Sequence, residues 1–383
     1  MFGGYDGGRE FLPRVLHLSI ARYRADLPRH GEPLELLVTI HEEGTGISWQ
    51  QNVLVDPEAE RDLLSEVAVL HECSLNWATA LNEAIRVSGQ LGQRLYDTFI
   101  GPSGTAVLET IVPTAILLDV DETILNLPWE LLGRDGRIFS QDVPLGRVVT
   151  TRTHPRRGRD PLKEDQLLRV LVVANPTLDL AEAEQEIAAM RALEGHYLDV
   201  EVEVTVLAGH QATREAVCDL LLPGDFDILH VSGHASLQVD QPDVSALQLA
   251  DGPLTAGDIL RLPWQQPPGF VFSSACESGR AVAGQRLLSD TQQANGLAGA
   301  FLTTGVYAYA GFFWPVTDTG AALFTRTFYE QLFLQQNVGM AFLAARQRAV
   351  QDLGAFGDLA GFGAILYGDA ASKHRRDLST AAD

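Results

Sequence analysis

The pattern of apolar and polar residues predicts strands and helices in both halves of the chain. In the first half, short apolar or alternating runs predict strands at 14–20, 34–40, 48–55 and 114–120. Between the last two of these, residues 57–98 carry apolar side chains at helical spacing. The first half is therefore expected to mix strands and helices.

After residue 166, strands and helices alternate regularly. Apolar runs predict further strands at 168–176, 200–208, 226–233, 269–275, 306–314 and 363–368. Helical spacing predicts helices at 180–195, 211–221, 293–305, 318–333 and 338–354. Because such alternation requires crossover connections, the chain is expected to form an α/β fold with a mainly parallel sheet flanked by helices.

Residues 152–166, RTHPRRGRDPLKEDQ, are charged and interrupted by two prolines, which is typical of a linker. This linker predicts an N-terminal lobe over residues 1–151 and a second domain over residues 167–370. The polar tail, residues 371–383, is expected to be disordered.

The composition is that of a globular protein, with 46% hydrophobic and 20% charged residues among 383. A net charge of −22 repels phosphates and anionic lipids, so neither nucleic acid nor a membrane is an expected partner. The N-terminus lacks a signal-peptide pattern, and no apolar stretch is long enough to predict a transmembrane helix. Three cysteines, an odd and small number, predict a cytoplasmic protein without a disulfide framework.

Two histidines, His230 and His234, lie four residues apart in the segment FDILHVSGHA, residues 226–235. Residues four apart share a face only on a helix, and this segment is β-rich, so a zinc pair is not predicted. His230 belongs to the apolar strand and is expected in core packing or in a hydrogen bond to the backbone. His234 follows the strand, at the position where open α/β sheets place their chemistry.

The next predicted strand, GFVFSSA at 269–275, runs directly into Cys276. Neighbouring parallel strands lie roughly 4.8 Å apart, so side chains just beyond two such strands can meet. Because an imidazole can take up the proton of a thiol and the resulting thiolate attacks acyl carbon, Cys276 and His234 are a candidate nucleophile and acid–base. The small residues around Cys276 leave main-chain N–H groups available to bind an oxyanion. Cys73 and Cys218 lie in helical segments and are expected to pack rather than react.

Further segments have the order and approximate spacing found in one protein family. They are LPWELL (127–132), LRVLVVANP (168–176), DILHVSGHA (227–235), LQLADGPLTAGDI (247–259), FSSACESG (272–279), GLAGAFLTTG (296–305), FFWPVTD (312–318) and ILYGD (365–369). With these segments the chain resembles the CHAT domains, which are caspase-like (clan CD) cysteine peptidases. The resemblance covers nearly the whole chain. It implies a caspase-like fold in which the N-terminal lobe is degenerate and non-catalytic.

The resemblance also implies roles for individual residues. The catalytic histidine of the family is the second one in H-x-x-G-H, here His234, and the family cysteine matches Cys276. Main-chain N–H groups of Gly233, Ala235 and Cys276 are then expected to form the oxyanion hole, with alanine at 235 where the family usually has glycine. No third catalytic residue is assigned, because a backbone carbonyl can orient the imidazole. No metal or organic cofactor is expected.

The expected activity is that of a cysteine endopeptidase which cleaves a partner protein. Many family members carry helical sensor repeats and none is visible here, so a separate sensor or activator chain is expected. The family context implies bacterial defence or cell death. Asp318, Glu277 and Asp290 are candidates for binding a basic substrate side chain, with ordinary solvated carboxylates as the alternative. Arg280 and Arg286 would instead favour an acidic side chain.

Two other functions fit parts of the sequence. In AILLDVDETIL, Asp119 and Asp121 imitate the D-x-D-x-T motif of haloacid-dehalogenase-like phosphatases. Those enzymes also need a lysine, and the only two in the chain, Lys163 and Lys373, follow no suitable strand. The second alternative is a caspase-like fold retained as a non-catalytic scaffold. The presence of both candidate dyad residues argues against this second alternative.

Overall fold

The computed structural model describes most of the chain. The described residues are 14–23, 32–46, 48–148, 167–180, 183–197, 200–238, 240–276, 278–280, 296–334, 337–353 and 359–371.

The elements of the first 148 residues fall into strands and a helical block. The strands are β1 (Val15–Arg22), β2 (Leu34–Glu42), β3 (Ser48–Val55), β4 (Ala115–Val120), β5 (Gly133–Arg134), β6 (Arg137–Ile138) and β7 (Leu145–Val148). The helices are α1 (Pro57–Leu75), α2 (Trp77–Phe99) and α3 (Gly101–Leu108). Helix α1 begins where Pro57 follows the cap Asp56, whose carboxylate accepts from the backbone N–H groups of Glu58 and Ala59.

From residue 167 onward the described strands and helices alternate. The strands are β8 (Leu167–Ala174), β9 (Gly195–Tyr197), β10 (Val200–Ala208), β11 (Ile228–Ser232), β12 (Ala235–Ser236), β13 (Ala246–Leu249), β14 (Gly252–Thr255), β15 (Phe270–Ser274), β16 (Ala308–Phe312) and β17 (Ala364–Tyr367). The helices are α4 (Ala183–Arg191), α5 (Arg214–Leu221), α6 (Ala256–Arg261), α7 (Gly296–Thr304), α8 (Asp318–Phe333), α9 (Val338–Leu353) and α10 (Ala360–Gly363).

One sheet runs through the described part of the molecule. Its twelve strands lie in the order β3-β2-β1-β4-β7-β17-β16-β15-β11-β8-β10-β9. Most neighbouring strands are parallel, and the antiparallel pairs are β3–β2, β2–β1, β17–β16 and β10–β9. Strands β12, β13 and β14 form a separate small sheet, and β5 and β6 form a hairpin. The predicted α/β class with a mainly parallel sheet is confirmed.

Each predicted strand and helix is present in the described residues, with ends that differ from the prediction by up to four residues. The predicted helical stretch 57–98 is two helices that meet at Asn76. The sequence pattern missed the short strands β5–β7, β9 and β12–β14 and the short helices α3, α6 and α10. The predicted linker 152–166 and almost all of the predicted tail lie outside the described residues. Strand β7 pairs with β17, so strands from both sides of the linker share one sheet, and the division into two lobes stays a prediction.

Both faces of the sheet are covered by apolar side chains. Strand β8 shows this most clearly, because its alternate residues enter two different cores. Leu171 and Val173 pack with helices α5 and α6, whereas Val170 and Val172 pack with α4, α8 and α9. Two-sided burial explains why this strand is an uninterrupted apolar run in the sequence. Within the described residues, every helix is too short or too polar to cross a membrane.

Strands β11 and β15 fix the position of the two candidate dyad segments. They are parallel neighbours, and their last residues, Ser232 and Ser274, lie opposite each other. The chain therefore leaves both strands at the same edge of the sheet, which is the edge where ligands bind in open α/β folds.

Candidate active site

His234 and Cys276 line one small cavity at this edge. His234 is the second residue after β11 and Cys276 the second residue after β15. The cavity has a volume of about 50 Å³, and Ser232, Gly233 and Ser274 also line it. The His234 side chain is 40% exposed. The thiol of Cys276 is half-buried and donates to the carbonyl oxygen of Val316 at 3.8 Å.

The imidazole of His234 is held by a carboxylate that the sequence pattern did not identify. Nε2 of His234 donates to Oδ1 of Asp179 at 2.9 Å. Hydrogen bonds from Thr177 and from His234 lower the pKa of Asp179, so this carboxylate stays ionised at neutral pH. The expectation that a backbone carbonyl orients the imidazole is thus replaced by a side-chain partner. With Nε2 donating to Asp179, Nδ1 of His234 is the nitrogen left to exchange a proton.

A tight turn after β8 brings Asp179 to the site. The side-chain oxygen of Asn175 accepts from the backbone N–H groups of Asp179 and Leu180 at 3.1 and 3.2 Å. Asn175 and Leu178 both have positive φ, at 47° and 63°. Asparagine adopts this left-handed region more readily than most residues, and its side chain closes the turn. The turn ANPT thus directs the carboxylate of Asp179 back toward the end of β11.

A buried polar layer lies beneath the cavity. Oε1 of Glu186, on α4, accepts from Nε2 of His230 at 3.0 Å, and its second oxygen accepts from the hydroxyl of Ser232. The hydroxyl of Tyr329 lies 3.4 Å from Nδ1 of His230, within hydrogen-bonding distance. Burial raises the pKa of Glu186, but the hydrogen bonds from His230 and Ser232 outweigh it and hold the pKa below its usual value. His230 is fully buried as predicted, and its partners are side chains rather than backbone.

Hydrogen bonds and close packing hold the described residues around Cys276, here called the cysteine loop (residues 275, 276 and 278–280). The hydroxyl of Ser278 donates to the carbonyl of Ser273 at 2.9 Å. The N–H of Gly279 donates to the carbonyl of Phe312 at 3.0 Å. A Cβ on Gly279 would lie 2.8 Å from the carbonyl carbon of Gly311, so glycine is required for this close approach.

The other predicted site residues take different positions. Gly233 lines the cavity, and Ala235 lies in β12 opposite Leu247. Asp318 also lines the cavity as the first residue of α8, where a carboxylate interacts favourably with the helix N-terminus. Arg280 lies over the ring of Phe313. Glu277, Asp290 and Arg286 lie outside the described residues.

The remaining cysteines and the phosphatase-like aspartates have structural environments. All three cysteines of the chain are described, and none forms a disulfide. Burial raises the pKa values of both Cys73 and Cys218, which keeps them as thiols.

Asp121 is ion-paired with Arg22 at 2.8 Å and caps the turn at Thr123. These contacts account for Asp121 without phosphatase chemistry, and Lys163 and Lys373 lie outside the described residues. The described residues contain no cluster of three or more metal-ligating side chains.

Comparison with known proteins places this chain in a family. The family model for the CHAT domain matches residues 89–356, which is more than half of the chain. The chain belongs to the CHAT-domain family. The match spans the segments of both candidate dyad residues and crosses the predicted linker. A search of the curated proteins found no matching sequence.

Solved structures show how far this CHAT domain shares a fold with other proteins. The separase–securin complex of Saccharomyces cerevisiae matches with a TM-score of 0.62 and 13% identity, covering 93% of this chain and 30% of that chain. The Arg-specific cysteine proteinase gingipain R matches with a TM-score of 0.48 and 14% identity, covering 74% of this chain and 67% of that chain. The chain therefore spans 30% of the length of the separase structure that it matches, with which it shares the caspase-like fold.

Proposed function

We propose that the chain is a caspase-like cysteine endopeptidase in which Cys276 is the nucleophile and His234 the acid–base. The observation that carries the proposal is that both side chains line one cavity at the ends of neighbouring parallel strands, with Asp179 fixing the imidazole. Membership of the CHAT-domain family supports the same chemistry.

The proposed reaction follows the ordinary course of thiol catalysis. His234 takes the proton of Cys276, and Sγ attacks the scissile carbonyl carbon to form a tetrahedral intermediate. Main-chain N–H groups of Gly233, Ala235 and Cys276 hold the oxyanion. The C–N bond then breaks as His234 gives its proton to the leaving amine, and water releases the acyl group with His234 as base. Asp179 orients the ring and stabilises the imidazolium through both steps.

We further propose that the protein substrate contacts Asp318 and that a separate protein activates the site. The activator is proposed from the family context. Asp318 lines the cavity and supports selection of a basic side chain. Bacterial defence and a cytoplasmic location are proposed from the family context and the three unpaired thiols.

Covalent labelling tests the proposed nucleophile. The protein is incubated with a peptidyl acyloxymethyl ketone, which alkylates catalytic thiols, and labelled residues are identified by mass spectrometry. We expect labelling at Cys276 that is abolished by Cys276→Ala and by His234→Ala. Cys218→Ala is the matched control, because it removes a partly exposed thiol outside the cavity, and it should label as wild type does. A folded protein that labels equally with and without His234 would contradict the dyad and favour a non-catalytic scaffold.

A further inference from the structure

Two segments that match the family pattern, LPWELL (127–132) and ILYGD (365–369), take no part in the proposed chemistry. Each contributes one buried polar side chain, Glu130 and Tyr367, to a series of contacts that ends at the cysteine loop. Because the first segment belongs to the N-terminal half, these contacts connect that half to the residues beside Cys276.

Two tyrosine hydroxyls bind the cysteine loop from the sheet. The hydroxyl of Tyr367, on β17, donates to the carbonyl oxygen of Gly279 at 2.9 Å. The hydroxyl of Tyr309, on β16, donates to the carbonyl oxygen of Ser278 at 2.9 Å. Both tyrosines are fully buried, so neither carbonyl would gain a water if its donor were lost. These two bonds therefore fix the direction of the loop that carries Cys276.

Arg147 connects Tyr367 to the N-terminal half. Strands β7 and β17 pair with Arg147 opposite Tyr367, and the guanidinium carbon lies 5.8 Å from the centre of the tyrosine ring. Arg147 is 1% exposed and binds both carboxylate oxygens of Glu130, at 2.8 and 2.5 Å. It also donates to the carbonyls of Leu125 and Leu127 at 3.0 and 3.1 Å. A bidentate, fully buried arginine of this kind is held in one orientation.

We propose that Tyr367 is a positioning residue for the cysteine loop and that Glu130 and Arg147 of the N-terminal half hold Tyr367 in place. The inference rests on the proposed function, since it assigns the N-terminal half a role in shaping that site. Burial raises the pKa of Tyr367 to about 12, against a smaller opposing effect of Arg147, so its hydroxyl remains a donor at neutral pH. These contacts assign one role, positioning of the cysteine loop, to the segments 127–132 and 365–369, which take no part in the dyad chemistry.

Hydrogen–deuterium exchange of the full chain tests the proposal without requiring peptidase activity. The variants are Tyr367→Phe, which removes only the hydroxyl, and Glu130→Gln, which weakens the hold on Arg147. The matched control for the first is Tyr96→Phe, because Tyr96 is also buried, lies 5.9 Å from Arg134 and hydrogen-bonds Thr105 rather than the loop. The matched control for the second is Glu109→Gln, at an exposed carboxylate of the N-terminal half paired with Arg134.

We expect amide exchange in peptides covering residues 270–280 to accelerate roughly 3- to 10-fold in Tyr367→Phe and in Glu130→Gln. Acceleration in the cysteine loop should exceed that in β1 and β2, whose exchange reports any loss of global stability, and the two controls should leave the cysteine loop as in wild type. If the wild type cleaves peptides, kcat should fall in both variants while KM stays constant. Unchanged loop exchange in Tyr367→Phe would overturn the positioning role. A loop effect in Tyr367→Phe alone would overturn the link to the N-terminal half. Amide exchange that accelerates equally across the whole sheet would show that Tyr367 and Glu130 contribute only to global stability.

Discussion

Replacing Glu186 with glutamine tests the buried layer beneath the candidate site. The carboxylate is 5% exposed and accepts hydrogen bonds from His230 and Ser232. Glutamine keeps the volume but removes the charge and turns one acceptor into a donor. A hydrogen bond to a charged group contributes about 1.5–3 kcal/mol and a neutral one about 1 kcal/mol. Weakening both bonds should therefore cost about 2–3 kcal/mol of unfolding free energy at neutral pH.

The same substitution has a pH dependence with a defined sign. The pKa of Glu186 is lowered in the folded state from its usual value of 4.5. The ionised carboxylate thus stabilises the fold fully above pH 4.5, and this contribution is lost as the pH falls below 4.5 toward the folded-state pKa. The difference between wild type and Glu186→Gln should be largest at pH 7.5 and smaller at pH 4.

Urea titration followed by tryptophan fluorescence measures this difference at pH 7.5, 5 and 4. Glu184→Gln is the matched control, because Glu184 lies on the same helix but is exposed, and it should change stability by less than about 0.5 kcal/mol. A Glu186→Gln variant that is as stable as wild type at pH 7.5, or that has the same stability deficit at pH 4, would contradict this role of the Glu186 carboxylate.

Three further predictions test other parts of the structure. Asp179→Asn should lower kcat roughly 10- to 100-fold without shifting the unfolding curve. This loss of kcat is smaller than for a buried triad aspartate, because Asp179 is 61% exposed; an unchanged kcat would contradict its role in orienting His234. Gly92→Ala should destabilise the fold, since its Cβ would collide with the carbonyl of Leu131. The Cβ of Gly89→Ala, on the same helix, meets no other atom, so this variant should stabilise the fold by about 0.5–1 kcal/mol. Equal unfolding midpoints for the two variants would contradict this difference. Gly311→Ala places a Cβ 2.7 Å from the N atom of Gly279 and should displace the cysteine loop, so covalent labelling of Cys276 should slow. Labelling at the wild-type rate would contradict the close packing of the cysteine loop against Gly311.

The long elements were predictable from sequence because they are buried on one or two faces. Strand β8 is apolar on both faces. Strands β11 and β15 end where the apolar run gives way to small and polar residues, and these ends locate His234 and Cys276. The short strand β7 was missed because its four residues include Gly146 and the buried Arg147, and neither has an apolar signature. Its arginine is buried as an ion pair with Glu130, 17 residues earlier in the chain.

The partners of the two histidines could not be predicted from spacing. Asp179 is 55 residues from His234, and Glu186 is 44 residues from His230. In the sequence both carboxylates resemble the exposed acids of an acidic chain, and only the fold brings them to the end of β11. The Asn-Pro turn at 175–176 was a usable signal, since a turn directly after a buried strand often carries functional side chains.

Cleavage of a proteome-derived peptide library, read by mass spectrometry, tests whether Cys276 is the nucleophile of a peptidase. Wild type is compared with Cys276→Ala, and with Cys218→Ala as the thiol control, in the presence of an activating partner if the isolated chain is latent. We expect new peptide termini with wild type and Cys218→Ala and none with Cys276→Ala, with basic residues enriched before the cleaved bond. Termini that persist in Cys276→Ala would contradict Cys276 as the nucleophile.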